Sequence, residues 1–160
     1  MGRKNMKKLI SIFIILMSNN LFSHCQIPCG IYNDALRVIQ IEENLKTIEK
    51  SINEIIILSS QNTPQSIQQI VRWTHTKEDH SNKSQSILSD YFLSQRIKEK
   101  NENYTKQLIY LHKIYVSMMK CKQTVEIKNI KEARESLSYF CKLYFDPHGI
   151  EHLKKLRSLK

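Results

Sequence analysis

The sequence predicts an all-α protein, an up-and-down antiparallel four-helix bundle, with a short N-terminal segment of different character ahead of it. Two observations carry this fold class. Gly and Pro number only three each in 160 residues, too few breakers for the many turns of a sandwich or barrel. Four stretches supply apolar residues, three of them at alternating spacings of three and four, the period of a bundle seam. Apolar residues make up 41% of the chain and charged residues 25%, a globular composition and not a disordered one. The length suits one domain with a real core.

The first seam runs through Val38, Ile41, Leu45, Ile48, Ile52 and Ile55. It breaks at Gln61-Asn62-Thr63-Pro64, where Thr63 reads as an N-cap and Pro64 as the first helical residue. The second helix is expected from Pro64 to Arg96, with Ile67, Ile70 and Val71 at one end and Ile87, Leu88, Tyr91 and Phe92 at the other. Its middle, Thr74 to Gln85, is polar, which makes it the weakest seam. After a break near Lys98–Asn103, the third helix carries Tyr104, Leu108, Leu111, Tyr115 and Met118. A break around Lys122–Asn129 leads to the fourth, with Ile130, Ala133, Leu137, Phe140 and Tyr144. Asp146-Pro147-His148-Gly149 is expected to end it, leaving Ile150–Lys160 for a short final turn. Short connections between long helices make neighbours antiparallel.

Cys121 and Cys141 lie on the third and fourth helices. A turn near residue 125 puts them about 12 residues out of register, or roughly 18 Å at about 1.5 Å per residue, well beyond disulfide reach. They read as buried free thiols, with an intermolecular link as the other reading.

Residues 1–23 have a basic start (Arg3, Lys4, Lys7, Lys8), an apolar run Leu9–Met17 and a polar end reading SNNLFS. That is the layout of a secretory signal peptide. The run of nine apolar residues falls short of the ~20 that span a bilayer; an uncleaved anchor is the competing reading. Ser23 is a suitable small residue before a cut, while Leu21 fits less well. Cleavage there makes His24 the new N-terminus and divides the chain into 1–23 (signal peptide), 24–32 (hook) and 33–160 (bundle). The exported product is expected in a periplasm or outside the cell, with no stable membrane association. Net charge falls from +10 to +6 with the leader gone, and no Lys/Arg run forms a nucleic-acid stripe.

A chain beginning His24-Cys25 offers a metal ion a compact donor set. Its free amine and the Cys25 backbone nitrogen close a five-membered chelate ring, and that nitrogen closes another with the Cys25 sulfur. The His24 imidazole reaches the same ion through a six-membered ring with the amine. Cys29 lies four residues further on, with Pro28 before it to bend and stiffen the return. Two nitrogens and two thiolates in a plane, with an imidazole above, suit Ni(II) or Cu(II) better than tetrahedral Zn(II). Any residue left before His24 turns the amine into an amide and spoils the site.

The segment His24-Cys25-Gln26-Ile27-Pro28-Cys29-Gly30-Ile31-Tyr32 resembles the HCxxPCGxY start of mature nickel-containing superoxide dismutases, a specific motif placed at the expected cleavage site. The likeness continues more loosely through Lys77-Glu78 and Asp90-Tyr91-Phe92. It implies a nickel cofactor, one per subunit, with His24 supplying amine and imidazole, Cys25 its amide nitrogen and thiolate, and Cys29 its thiolate. It implies that Tyr32 stands at the open face of the metal, limiting access and holding ordered water, and that Pro28 and Gly30 shape the hook. It implies superoxide as substrate, no nucleic-acid partner, and a homohexamer. Two departures stand out: Gln26 where many members have Asp, and Asn33-Asp34 where they have a Pro soon after the tyrosine. Glu42, Arg72 and His80 are the candidates for orienting the imidazole, since metal-bound His usually needs such a partner.

Two other readings use the same residues. Cys25 and Cys29 can form a disulfide in a secreted helical binding protein, or the hook can carry nickel or copper without turnover. The other histidines, His75, His80, His112, His148 and His152, show no ligand spacing with Cys or carboxylates and read as surface or satisfied interior groups.

Overall fold

The computed structural model describes residues 32–159. The chain divides into two compact units, Met1–Tyr32 and Asn33–Lys160, and the helices described belong to the second. They are α1 (Asp34–Ser59), α2 (Pro64–Ser86), a π-helical continuation of α2 (Ile87–Arg96), α3 (Tyr104–Gln123), α4 (Ile127–Tyr144) and α5 (Pro147–Ser158). α1 packs on α2, α2 on α3 and α3 on α4, and α1 also meets α4, which closes the four-helix bundle; α5 lies against α1. Among the described residues all regular structure is helical, as expected.

The helix ends follow from local chemistry. Asn33 caps α1, its side chain accepting from the Leu36 amide at 3.0 Å. Asn62 at φ 44° reverses the chain after α1, a left-handed conformation that Asn tolerates. Thr63 and Ser66 then form a reciprocal capping box, with Pro64 at the first position of α2.

The seam of α1 is as read from the sequence: Val38, Ile41, Leu45, Ile48 and Ile52 are buried, and Ile55 is half-buried. On α4, Ile130, Ala133, Leu137 and Phe140 are buried, as expected. On α3 the seam is rotated from the expected one. It runs Gln107, Leu111, Ile114, Met118 and Cys121, while Tyr115 is exposed. Gln107 faces inward because its amide donates to the Leu143 carbonyl at 3.0 Å, near the C-terminus of α4. Ile67 and Val71 of α2 are also exposed.

The polar middle of α2 is a seam after all. Lys77, 3% exposed, donates to the carbonyls of Lys122 and Thr124 at 3.1 and 3.0 Å. A lysine thus caps the C-terminus of α3, where orphan carbonyls and the negative end of the helix dipole gather. Gln85 donates to the Tyr115 carbonyl at 3.2 Å. Lys122 returns to Gln85 and Asn82 at 2.8 and 2.9 Å. Burial pulls the Lys77 amine below its ordinary value, partly offset by Glu78.

Beyond Ser86 the helix widens. Ile97 N donates to Phe92 O at 2.9 Å, and the Gln95 side chain to Asp90 O at 2.7 Å, both five residues back. Leu88, Tyr91, Phe92 and Gln95 of this segment are buried. Phe92 sits edge-on to Tyr91, Phe140 and Tyr144, with ring centroids 5.1 to 5.5 Å apart.

One correction concerns the C-terminus. Asp146-Pro147 starts a helix instead of ending the chain in a turn, with the Asp146 side chain accepting from Gly149 N at 2.7 Å. A Cβ on Gly149 would meet the Phe145 ring at 2.6 Å, so a larger residue there has to displace that ring. Leu153 is buried and Leu156 packs on the core.

Where the bundle begins, Asp34 gathers three partners. Arg96 donates to both of its oxygens at 2.8 and 2.7 Å, Tyr91 OH at 2.5 Å and Tyr144 OH at 2.8 Å. Burial raises the Asp34 carboxyl, but the hydrogen bonds and charge of Arg96 and the two phenols outweigh it, so the net shift is downward. Burial and the adjacent carboxylate push both phenols upward.

Cys121 and Cys141 are buried free thiols. Burial pushes them up to about 11 and about 12.

Three outcomes are expected. Phe92→Ala costs about 3–5 kcal/mol in urea unfolding, the range for an emptied aromatic site. Asp34→Ala costs about 2–3 kcal/mol at neutral pH, since it strands Arg96 and two buried hydroxyls. Because the folded carboxyl titrates below its ordinary value of about 3.9, that contribution is complete above about pH 4 and is lost as pH falls below it. The unfolding midpoints of wild type and variant therefore converge in acid. Iodoacetamide at pH 8, followed by mass mapping, is expected to leave Cys121 and Cys141 unmodified in the native chain and to label both in denaturant.

Candidate metal centre

The sequence places the metal donors at His24, Cys25 and Cys29, with Pro28 and Gly30 shaping the segment. These five positions, and the leader before them, lie outside the described residues. Tyr32, exposed at 40%, is the first residue described. Directly after it come Asn33 and Asp34, the N-cap and first residue of α1.

The three candidate partners of the imidazole are separated by the bundle. Glu42 faces α5, where Arg157 Nε donates to it at 3.1 Å. His80 faces α1, its Nδ1 2.8 Å from Asn44 Oδ1. With a carbonyl oxygen as neighbour, Nδ1 carries the proton and Nε2 keeps a lone pair. Burial and then Lys83 push His80 below its ordinary value, against Asp79, so it is neutral at pH 7. Arg72 is exposed, two turns N-terminal to His80 on α2. Glu42 and Asn44, two positions apart on α1, cannot share a helix face, so the Glu42 and His80 environments are distinct.

Sequence reasoning missed the Asp34 cluster. Asp34 was read only as part of a departure from a family pattern, and Arg96 only as a helix end. The available signals were an acid in the first turn directly after an Asn N-cap and two tyrosines, Tyr91 and Tyr144, on inward stripes. Buried phenols need polar partners. What the cluster does chemically is hold: a paired carboxylate fixes the start of α1 two residues beyond Tyr32.

Among the described residues no three His, Cys, Asp or Glu side chains are gathered into a metal-binding cluster, and no helix is long and apolar enough to cross a membrane. The donor chemistry of His24, Cys25 and Cys29 fits nickel: borderline nitrogen and soft thiolate ligands that favour tetragonal Ni(II).

The family model for nickel-containing superoxide dismutase matches residues 19–147. No curated protein and no solved structure gives a match. The matched segment takes in the whole hook motif, Tyr32, and α1 through α4, and the chain belongs to the nickel-containing superoxide dismutase family.

Proposed function

We propose that the chain is the exported precursor of an enzyme that disproportionates superoxide, with nickel held by His24, Cys25 and Cys29 once residues 1–23 are removed. Family membership makes it an oxidoreductase with a nickel cofactor. The observation that carries the finer reading is the donor set itself, His24-Cys25-Gln26-Ile27-Pro28-Cys29-Gly30-Ile31-Tyr32, inside the matched segment and directly after a leader-like stretch.

Nickel bound there supplies one-electron chemistry between Ni(II) and Ni(III), so that one superoxide is oxidised to dioxygen and a second, with two protons, is reduced to hydrogen peroxide. The chain's own residues do the rest. The freed His24 amine and imidazole, the Cys25 amide nitrogen and the two thiolates hold the ion, and Pro28 and Gly30 set the return of the chain. Tyr32 limits access to small anions and keeps ordered water from which protons are drawn. Asp34, clamped by Arg96, Tyr91 and Tyr144, anchors the chain next to Tyr32. The net positive charge of the processed chain steers the anionic substrate, an effect worth about 10–10³ in on-rate that weakens with salt.

The resemblance supports assembly as a homohexamer, and the signal-peptide layout of residues 1–23 supports residence in the periplasm or outside the cell. For the imidazole partner, Glu42, Arg72 and His80 stand as the candidates, of which Glu42 is already engaged by Arg157.

The test compares dismutation rates, with and without added nickel, of chains beginning at His24 and at a serine added before it. The expected outcome is nickel-dependent turnover in the first, falling to the background of Cys25→Ser in the second. Equal inactivity in both, with Cys25 and Cys29 joined to each other, would establish a helical binding protein in its place. Stoichiometric nickel with no turnover would make the hook a carrier.

A further inference from the structure

The chain has six histidines, and His148 and His152 form their one pair spaced by four. The sequence led one to expect the end of the fourth helix at Asp146–Gly149 and a short final turn over Ile150–Lys160, which would not set the two on one helical face. In the structure both residues lie within α5, a helix of 12 residues. Positions four apart on a helix are neighbours, with Cβ atoms about 5–6 Å apart. Glu151 is three residues beyond His148 and next to His152, so the three occupy one face. All three are exposed, and they line one open surface groove with Lys154, Lys155 and Ser158.

The platform beneath them is rigid. Leu153 is buried at 1% exposure, and Leu156, one turn beyond His152, packs on the core. Asp146 caps the first turn, and Arg157 ties α5 to Glu42 of α1. A helix already held by packing needs no folding to present its two imidazoles, and preorganisation removes that part of the binding cost. The segment lies beyond the family match, which ends at residue 147.

We propose that His148, Glu151 and His152 form a second metal site on α5, one that takes an exchangeable divalent transition cation of the Ni(II), Cu(II) or Zn(II) class. The two imidazoles supply borderline nitrogen donors that suit these ions, and Glu151 supplies a carboxylate oxygen. The donors are not gathered as they stand; exposed side chains change rotamer in picoseconds to nanoseconds, and closing on an ion needs no movement of the backbone. Two features keep the site weak. The positive end of the α5 dipole lies at His148, and Lys155 stands one turn beyond Glu151. The ion is consequently held loosely, in fast exchange with solvent, unlike an ion chelated by thiolates.

Equilibrium dialysis against Ni(II) tests this on the chain carrying His24→Ala, Cys25→Ser and Cys29→Ser, which removes the hook and makes the result independent of the reading proposed for it. One dialysable equivalent is expected, falling to none when either His148→Ala or His152→Ala is added, with helicity unchanged by circular dichroism. The nickel-loaded wild-type chain is expected to take up the same extra equivalent, and His152→Ala to abolish it while leaving dismutation unchanged. No bound equivalent in the hook-less chain, or an equivalent that survives both histidine substitutions, would overturn the proposal.

Discussion

The structure depends on one carboxylate. Asp34 stands in the first turn of α1 and accepts from three side chains that the sequence holds far apart: Tyr91 and Arg96 on the π-helical continuation of α2, and Tyr144 at the end of α4. A carboxylate with this little water around it is unfavourable unless its charge is matched and its lone pairs are filled. Both conditions are met, by a guanidinium in two-point contact and by two phenols. The N-terminus of α1 adds favourable dipole charge. The result is a knot joining three helical segments at the place where the chain enters the bundle. The aromatic cluster around Phe92 stacks directly beneath it, since Tyr91 and Tyr144 belong to both.

A second polar arrangement organises the other side of the bundle. Helix α2 meets α3 through Lys77 and Gln85, both buried. Lys77 spends its charge on the carbonyls that end α3. This is a helix cap supplied by a neighbouring helix, and it sets the axial register of α2 against α3 in a way that an apolar seam, tolerant of sliding, does not.

Much of this was legible in the sequence. The paucity of Gly and Pro and the three-four spacings of α1 and α4 predicted the bundle, because those helices bury continuous apolar stripes. The Thr63-Pro64 start was legible because capping is local chemistry. The seam of α3 was not, because Gln107 turns inward to meet a carbonyl of another helix, and no local pattern announces a distant acceptor. The same reason hid Lys77 and Asp34. The final helix was missed because Asp-Pro reads equally as a stop and as an N-cap with proline following it. For the metal centre the position was reversed. The donor set proposed at His24, Cys25 and Cys29 is a reading of residue order, on which chelation by a free N-terminus depends, and these positions lie outside the described residues. The candidates Glu42, Arg72 and His80 depend on packing, and the bundle sets them in different environments.

The burial of Cys121 and Cys141 has a chemical consequence for an enzyme of this family. Its reaction makes hydrogen peroxide, which attacks thiolates and converts them to sulfenic acid and beyond. With burial pushing the thiols up to about 11 and about 12, both stay protonated at neutral pH, and the thiolate is the reactive form. The interior sulfur of the bundle is thereby kept chemically silent towards the product. A scaffold that must outlast many turnovers can carry cysteines as packing groups at no oxidative risk, provided that the four helices stay closed around them.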